Sequence, residues 1–207
     1  MARRQVRELI LDGTYVPGAR LTESDVAAVL QMSRTPVREA LSALAADGLV
    51  RPTGRGVAVV VLEAADVAHA YQVRAALEAL TAELAAGRQG DGRIARADLA
   101  SLREVAAAAA DATTAGRLAE AVGHNRRFHR RIAELAGNPI ALQTLDRVWD
   151  PIQVFTLHSL APPARQAHVA AQHDQLLAAI TDARAEDAGQ LARRHVLDTR
   201  ATTHPEG

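Results

Sequence analysis

Three histidines fall on the apolar stripes of three different predicted helices, and one of them follows an asparagine by a single turn. In a helix predicted over residues 116–136, Asn125 and His129 share one inward face. His173 and His195 occupy the apolar faces of two later helices. Imidazole nitrogens beside an amide oxygen suit a divalent ion such as Zn²⁺ or Ni²⁺. Such a ligand set leaves coordination positions that water or a carboxylate could fill.

The same histidines also fit a metal-free interpretation, in which they are polar core residues of a bundle that binds a purely organic ligand. A lone inward histidine usually has such a role, although three of them beside an amide are harder to explain in this way. Both interpretations stay open on spacing alone. His168 shares a polar face with Gln172 and Gln175 and is expected to be solvated. The remaining histidines show no partner pattern: His69, His124, His158 and His204.

Arg74 and Glu78 lie one turn apart on the helix that opens this second part of the chain. The simpler interpretation is an ordinary i,i+4 ion pair, which contributes about 0.2–0.5 kcal/mol to an isolated helix. The functional interpretation is that Arg74 points into a cavity and binds an anionic effector, because guanidinium groups form strong paired hydrogen bonds with carboxylates.

Residues 2–62 have a different pattern, that of three short helices followed by a β-hairpin. Thr22 is a suitable N-cap for the second helix, and Pro36 lies in the first turn of the third, where its missing N–H costs little. The predicted elements are helices over 2–12, 22–31 and 34–47 and strands over 49–51 and 57–61, with the hairpin turn at residues 54–56.

This order of elements is typical of a winged helix-turn-helix, whose second motif helix presents its first residues to base edges in the DNA major groove. Arg34 and Arg38 share one face of that helix and could read guanine or bind phosphate. Arg55, between two glycines, could approach the DNA backbone or minor groove. A merely solvated helix face is the alternative. The candidate DNA-contacting residues are Ser33, Arg34, Thr35, Arg38 and Arg55.

From residue 66 to about 201 the pattern is almost entirely helical and rich in alanine, leucine, arginine and glutamate, with breaks near the glycine and proline clusters. The predicted fold class is therefore mainly α. A winged helix-turn-helix domain over 1–62 would precede an all-α bundle of about six helices over 63–207.

The composition of the chain excludes some kinds of chemistry and favours some kinds of partner. The chain has 207 residues, no cysteine and a formal net charge of zero, so disulfides and thiolate chemistry are excluded. Residues 1–62 carry eight arginines against six acidic residues, a net charge of +2, and the remainder carries sixteen against eighteen, a net charge of −2. The difference points weakly toward nucleic acid. With no long apolar segment, we expect a cytoplasmic protein with no membrane partner.

The N-terminal motifs are similar to those of a known family. GTYVPGARLTE at residues 13–23, SRTPVREAL at 33–41 and DGLV at 47–50 closely resemble the DNA-binding domain of the GntR family of bacterial repressors. The resemblance implies that Arg34, Thr35 and Arg38 contact an operator and that Arg55 lies in the wing. This chain has Ser24 where some relatives place a DNA-contacting arginine, so that phosphate contact is missing or replaced.

The second part of the chain resembles the FCD sensor domain of the FadR-type branch. The resemblance rests on DVAHAYQVRAALE at residues 66–78, NRRFH at 125–129, AGN at 136–138, His173 and His195. It implies a helical bundle, over roughly residues 64–202, that dimerises and holds a divalent ion through Asp or Asn, a histidine four residues later, and two further histidines. Asn125 replaces the commoner Asp, which removes one negative charge and should weaken metal binding.

Together these patterns predict a homodimeric, ligand-responsive regulator that binds a double-stranded DNA operator, most simply as a repressor. Its effector would be a small organic acid bound near a metal ion in the bundle. A metal-free organic-ligand regulator is the first alternative. A metal-dependent hydrolase is the second, but no acidic residue stands at an arguable general-base position, and the winged helix would have no role in such an enzyme.

Overall fold

The computed structural model describes residues 1–159 and 163–203. Within these ranges it describes every side chain except those at 64, 118, 119, 153–159, 163–167 and 200–203. The side chain of His158 and the whole of His204 lie outside the described residues. Pro162, in the proline pair that interrupts the predicted helical pattern, also lies outside the described residues.

The N-terminal unit contains three helices and a small sheet. Its elements are α1 (Ala2–Leu11), β1 (Arg20–Leu21), α2 (Glu23–Leu30), α3 (Arg34–Ala46), β2 (Val50–Thr53) and β3 (Gly56–Val59). Residues 150–154 group with this unit, which otherwise comprises residues 1–63. The hydroxyl of Thr22 accepts the backbone N–H of Asp25 and caps α2, as the sequence predicts. Pro36 lies in the first turn of α3.

The three strands form an antiparallel sheet in the order β1-β3-β2. The sequence predicts only β2 and β3, since a two-residue strand such as β1 is too short to show a period of two. β1 pairs with β3 through Arg20 opposite Ala58 and Leu21 opposite Val57. A Cβ on Gly56, at φ +99°, would lie 2.3 Å from the carbonyl oxygen of Leu21. Only glycine allows the hairpin to approach β1 this closely.

Apolar side chains from α1, α2, α3 and the sheet form the core of the N-terminal unit. They recur at helical spacing, so each helix buries one face and leaves the other in water. Its buried members on the helices include Val6, Ile10, Val26, Val37, Leu41 and Leu44. This packing holds the first turn of α3 at the surface, where its polar side chains are exposed.

The C-terminal unit is a helical bundle. Among the described residues its helices are α4 (Ala64–Gly90), α5 (Arg96–Thr114), α6 (Leu118–Leu135), α7 (Pro139–Ser159), α8 (Pro163–Thr181) and α9 (Ala185–Thr203). The predicted mainly α fold class, with about six helices in this unit, is confirmed. α4 begins at residue 64, two residues before the start of the predicted helical pattern at residue 66, so Asp66 lies in its first turn.

α4 packs against α6, α8 and α9, and α5 packs against α6 and α8. The apolar core between these helices includes Leu102, Phe128, Ile132, Leu176, Ile180 and Ala192. Because α4 has neighbours on several sides, polar residues along it can be as buried as apolar ones. In the part of the chain that the structure describes, no helix is both long and apolar enough to cross a membrane.

Candidate functional site

The three predicted histidines converge in the bundle from three helices. His129 lies on α6, His173 on α8 and His195 on α9, and all three are buried. One ring nitrogen of each lies within 4.8 Å of the corresponding nitrogens of the other two. Nε2 of His129 is 3.1 Å from Nε2 of His195. The helical spacing that turns each histidine inward thus brings all three into one cluster.

Asn125 precedes His129 by one turn of α6 and is also buried. Its Oδ1 has no hydrogen-bond partner among the described residues, a costly arrangement for a buried amide oxygen. Asn125 and His173 line the same small cavity, of about 10 Å³, with Thr113 and alanines of α5. A space of this size admits about one water or ion. The orphaned oxygen is therefore available to a ligand in this cavity.

Glu78 of α4 lies behind the histidine cluster, and sequence reasoning did not assign it to the site. Its Oε2 is 2.8 Å from Nδ1 of His129, and its Oε1 accepts hydrogen bonds from Arg74 Nε at 2.6 Å and Trp149 Nε1 at 3.1 Å. Burial raises the pKa of Glu78, but attraction to Arg74 and His129 outweighs burial and lowers the pKa to about 2. Glu78 is therefore an ionised acceptor at neutral pH.

Arg74 forms the predicted i,i+4 pair with Glu78, but the pair is completely buried, unlike an ordinary pair on a helix surface. The guanidinium carbon lies 3.7 Å from the centre of the Trp149 ring, which favours a cation by cation–π attraction. The two terminal nitrogens of Arg74 have no hydrogen-bond partner among the described residues. These unused donors are what an anionic ligand would bind.

Gln172 of α8 is buried. The prediction that it shares a solvated face with His168 is therefore wrong. α9 covers it: Gln172 Oε1 lies 3.0 Å from Nδ1 of His195, and its Nε2 donates to Asp198 at 2.7 Å. His168 is exposed, as predicted, and lies 3.4 Å from the same carboxylate of Asp198. Helical periodicity places Gln172 beside the apolar stripe, but it does not reveal which neighbouring helix covers that edge.

In the N-terminal unit, the predicted DNA-contacting side chains Ser33, Arg34, Thr35 and Arg38 are exposed at the start of α3. Arg55 is exposed at the tip of the β2–β3 hairpin. The fold therefore presents α3 and the hairpin as a helix-turn-helix and its wing.

Two polar contacts hold the arginines of α3 against α2. Arg38 forms a paired ion pair with Glu23, with Nε 2.7 Å and Nη2 2.9 Å from its carboxylate oxygens. These hydrogen bonds lower the pKa of Glu23 and raise the pKa of Arg38. Arg34 Nη2 donates to the hydroxyl of Ser24 at 2.7 Å. Ser24, the departure noted in the sequence, thus orients a neighbouring arginine.

Two family models match the chain. The model for bacterial regulatory proteins of the gntR family matches residues 1–60, and the FCD domain model matches residues 69–198. Together they cover the N-terminal unit that bears the exposed arginines and the bundle that bears the histidine cluster.

Several bacterial regulators are similar to this chain, two of them along most of its length. The Uxu operon transcriptional regulator of Escherichia coli K12 is 30% identical over 207 residues, covering 87% of this chain and 77% of that protein. The HTH-type transcriptional regulator YdhC of Bacillus subtilis is 27% identical over 194 residues, covering 93% and 83%. The gluconate operon transcriptional repressor of the same species is 37% identical over 79 residues, covering only 38% and 32%.

Solved structures show the same fold. Escherichia coli McbR/YncC superposes with a TM-score of 0.86 at 23% identity, over 99% of this chain and 96% of that one. A GntR protein of Rhodococcus sp. RHA1 superposes with a TM-score of 0.79 at 25% identity and the same coverage. The chain therefore belongs to the GntR family of bacterial transcriptional regulators, in the FadR-type branch with an FCD domain, and is a regulator and not an enzyme.

Proposed function

We propose that this chain is a cytoplasmic transcriptional repressor whose operator affinity is controlled by a small carboxylate effector bound at a divalent metal ion. His129, His173, His195 and Asn125 would hold the ion, with Zn²⁺ or Ni²⁺ the best match to their nitrogen and oxygen donors. The observation that carries the proposal is the buried cluster of three histidine nitrogens within 4.8 Å of one another. The effector would shift the protein between operator-binding and released arrangements.

The charges of the buried residues support an anionic effector. Arg74 and Glu78 cancel each other, and the three imidazoles and Asn125 are neutral as ligands. A bound divalent ion would then leave a net charge of about +2 in a buried site, which is unfavourable without a counter-charge. A carboxylate at the open metal positions would supply that charge. The terminal nitrogens of Arg74 offer a second place for an anionic group.

The test of this proposal combines zinc titration with the variant Asn125→Asp. Zinc should bind metal-free wild type at one ion per chain. Asn125→Asp should bind zinc on the order of tenfold more tightly, because the carboxylate adds a negative charge next to the ion. Affinities come from competition with a chromophoric chelator, using chain without a histidine tag.

Thermal unfolding of the same two proteins separates a metal site from a polar core. Without metal, Asn125→Asp should unfold at a lower temperature than wild type, because its carboxylate is buried without a partner. With zinc bound, Asn125→Asp should unfold at a higher temperature than wild type. If zinc changes the unfolding temperature of neither protein, the chain is a metal-free regulator. The histidines then bind an organic ligand or stabilise the core.

A screen of small carboxylates against zinc-loaded protein tests the effector class. A ligand that binds only the folded state raises the unfolding temperature. We expect a carboxylate to stabilise the protein and its uncharged amide to have no effect. The same carboxylate should change operator affinity, measured by fluorescence anisotropy. Stabilisation by the amide alone would contradict an anionic effector.

We also propose that the chain acts as a homodimer, because one winged helix reads too few base pairs to select an operator. α4 offers a surface for the second copy: Val73 and Leu80 lie seven residues apart on one face and are 49% and 40% exposed. Leu80→Arg should shift the protein from dimer to monomer at micromolar concentration in sedimentation velocity. Ile140→Arg, at an exposed apolar residue of α7, is the control and should remain dimeric. A wild-type monomer, with and without DNA, would contradict the proposal.

A further inference from the structure

The environment of His129 determines which of its nitrogens carries a proton. Nδ1 lies 2.8 Å from Oε2 of Glu78, a carboxylate whose other oxygen accepts hydrogen bonds from Arg74 and Trp149. An unprotonated Nδ1 would place its lone pair against that carboxylate. Nδ1 must therefore carry a proton that faces this oxygen at ion-pair distance, and Nε2 is directed at His195.

The environment of His195 leads to the same result through a different residue. The amide of Gln172 is oriented by Asp198, because only its NH₂ group can donate to that carboxylate, at 2.7 Å. Its carbonyl oxygen consequently faces His195, 3.0 Å from Nδ1. Nδ1 of His195 must donate to this oxygen, and its Nε2 is directed at His129.

Nε2 of His129 and Nε2 of His195 therefore face each other across 3.1 Å. Lone pairs at this distance repel unless a positive charge lies between them. With imidazole–zinc bonds of about 2.0–2.1 Å, a separation of 3.1 Å gives a nitrogen–metal–nitrogen angle of about 100°. That angle lies in the range that a zinc or nickel site requires.

We infer that Glu78 and Gln172 are positioning residues of the metal centre, each holding one imidazole with Nδ1 protonated so that Nε2 of His129 and His195 faces the ion. The inference rests on the proposed metal site. An Nδ1–H directed at the Glu78 carboxylate also makes the ring a stronger metal ligand.

A nitrogen-15 NMR experiment on histidine-labelled chain tests the inference with or without metal. In long-range ¹H–¹⁵N spectra, assigned with single-histidine variants, Nδ1 of His129 and of His195 should carry a proton in both metal-free and zinc-loaded protein. An unprotonated Nδ1 on either ring would overturn the inference. If zinc does not bind wild type, the proposed metal site fails, but the metal-free spectrum still decides the protonation of Nδ1.

Variants of the Gln172–Asp198 pair provide the second readout. Gln172→Met keeps the side-chain length, removes the acceptor and should weaken zinc binding about 10- to 100-fold. Gln172→Glu combined with Asp198→Asn reverses the pair but keeps an acceptor facing His195, so zinc affinity should stay within a few-fold of wild type. Gln175→Met, at an exposed position on the same helix, is the matched control. Unchanged zinc affinity in Gln172→Met, or equal loss in the reversed pair, would overturn the role of Gln172.

Discussion

His129→Ala should abolish zinc binding and the response to a carboxylate effector, with basal operator binding largely preserved. His129 contacts Glu78 through one ring nitrogen and His195 through the other. Its removal deletes one proposed ligand and the imidazole that lies against Oε2 of Glu78. The residues that we predict to contact the operator belong to the N-terminal unit, so DNA affinity without effector should change little. Chelator competition measures zinc, and fluorescence anisotropy measures operator binding with and without effector.

His69→Ala is the control for this experiment. His69 is an exposed histidine of α4 outside the buried cluster, so its loss should affect neither zinc nor effector. It is a better control than His168, whose ring contacts the Asp198 carboxylate that orients Gln172. Retention of one zinc per chain in His129→Ala, at wild-type affinity, would mean that the ion binds elsewhere.

Arg38→Ala should weaken specific operator binding about 5- to 150-fold, the range for loss of one side chain that reads a base. Arg34→Ala should have an effect of similar size. Both side chains are exposed on one face of α3, which the winged helix-turn-helix fold presents to DNA. Operator binding is followed by fluorescence anisotropy at several salt concentrations, because phosphate contacts make affinity salt-dependent.

Glu23→Gln distinguishes DNA contact from a structural role of Arg38. This substitution weakens the ion pair between Glu23 and Arg38 but leaves the guanidinium group of Arg38 in place. If Arg38 contacts DNA, Glu23→Gln should bind the operator at least as well as wild type. If the pair only holds α2 against α3, both substitutions should reduce affinity equally. Arg93→Ala removes an exposed arginine from the C-terminal unit and should leave operator affinity unchanged.

Helical periodicity predicted most of the fold and the inward direction of the site residues. Asn125 and His129 share a face because they are four residues apart, and His173 and His195 lie on apolar stripes. The capping of α2 by Thr22 could be predicted from residue type alone. The convergence of three helices on one point depends on how they pack, which spacing within a single helix does not specify.

Glu78 and Gln172 could not be assigned from the sequence for the same reason. Glu78 has an arginine one turn away, which is typical of a solvated helix pair, and its burial follows only from the packing of α4 against α6 and other helices. Gln172 lies at the edge of an apolar stripe, where its exposure depends on α9. The sequence predicted Arg74 as a candidate to bind an anionic effector, but only the structure shows that its two terminal nitrogens have no hydrogen-bond partner among the described residues.

Anomalous diffraction from a zinc-soaked crystal tests the proposed metal centre most directly. We predict one peak per chain, about 2.0–2.1 Å from Nε2 of both His129 and His195, with His173 and the Asn125 side-chain oxygen in the same coordination sphere. A peak at surface carboxylates with the buried cluster empty, or coordination through Nδ1 of either ring, would contradict the account.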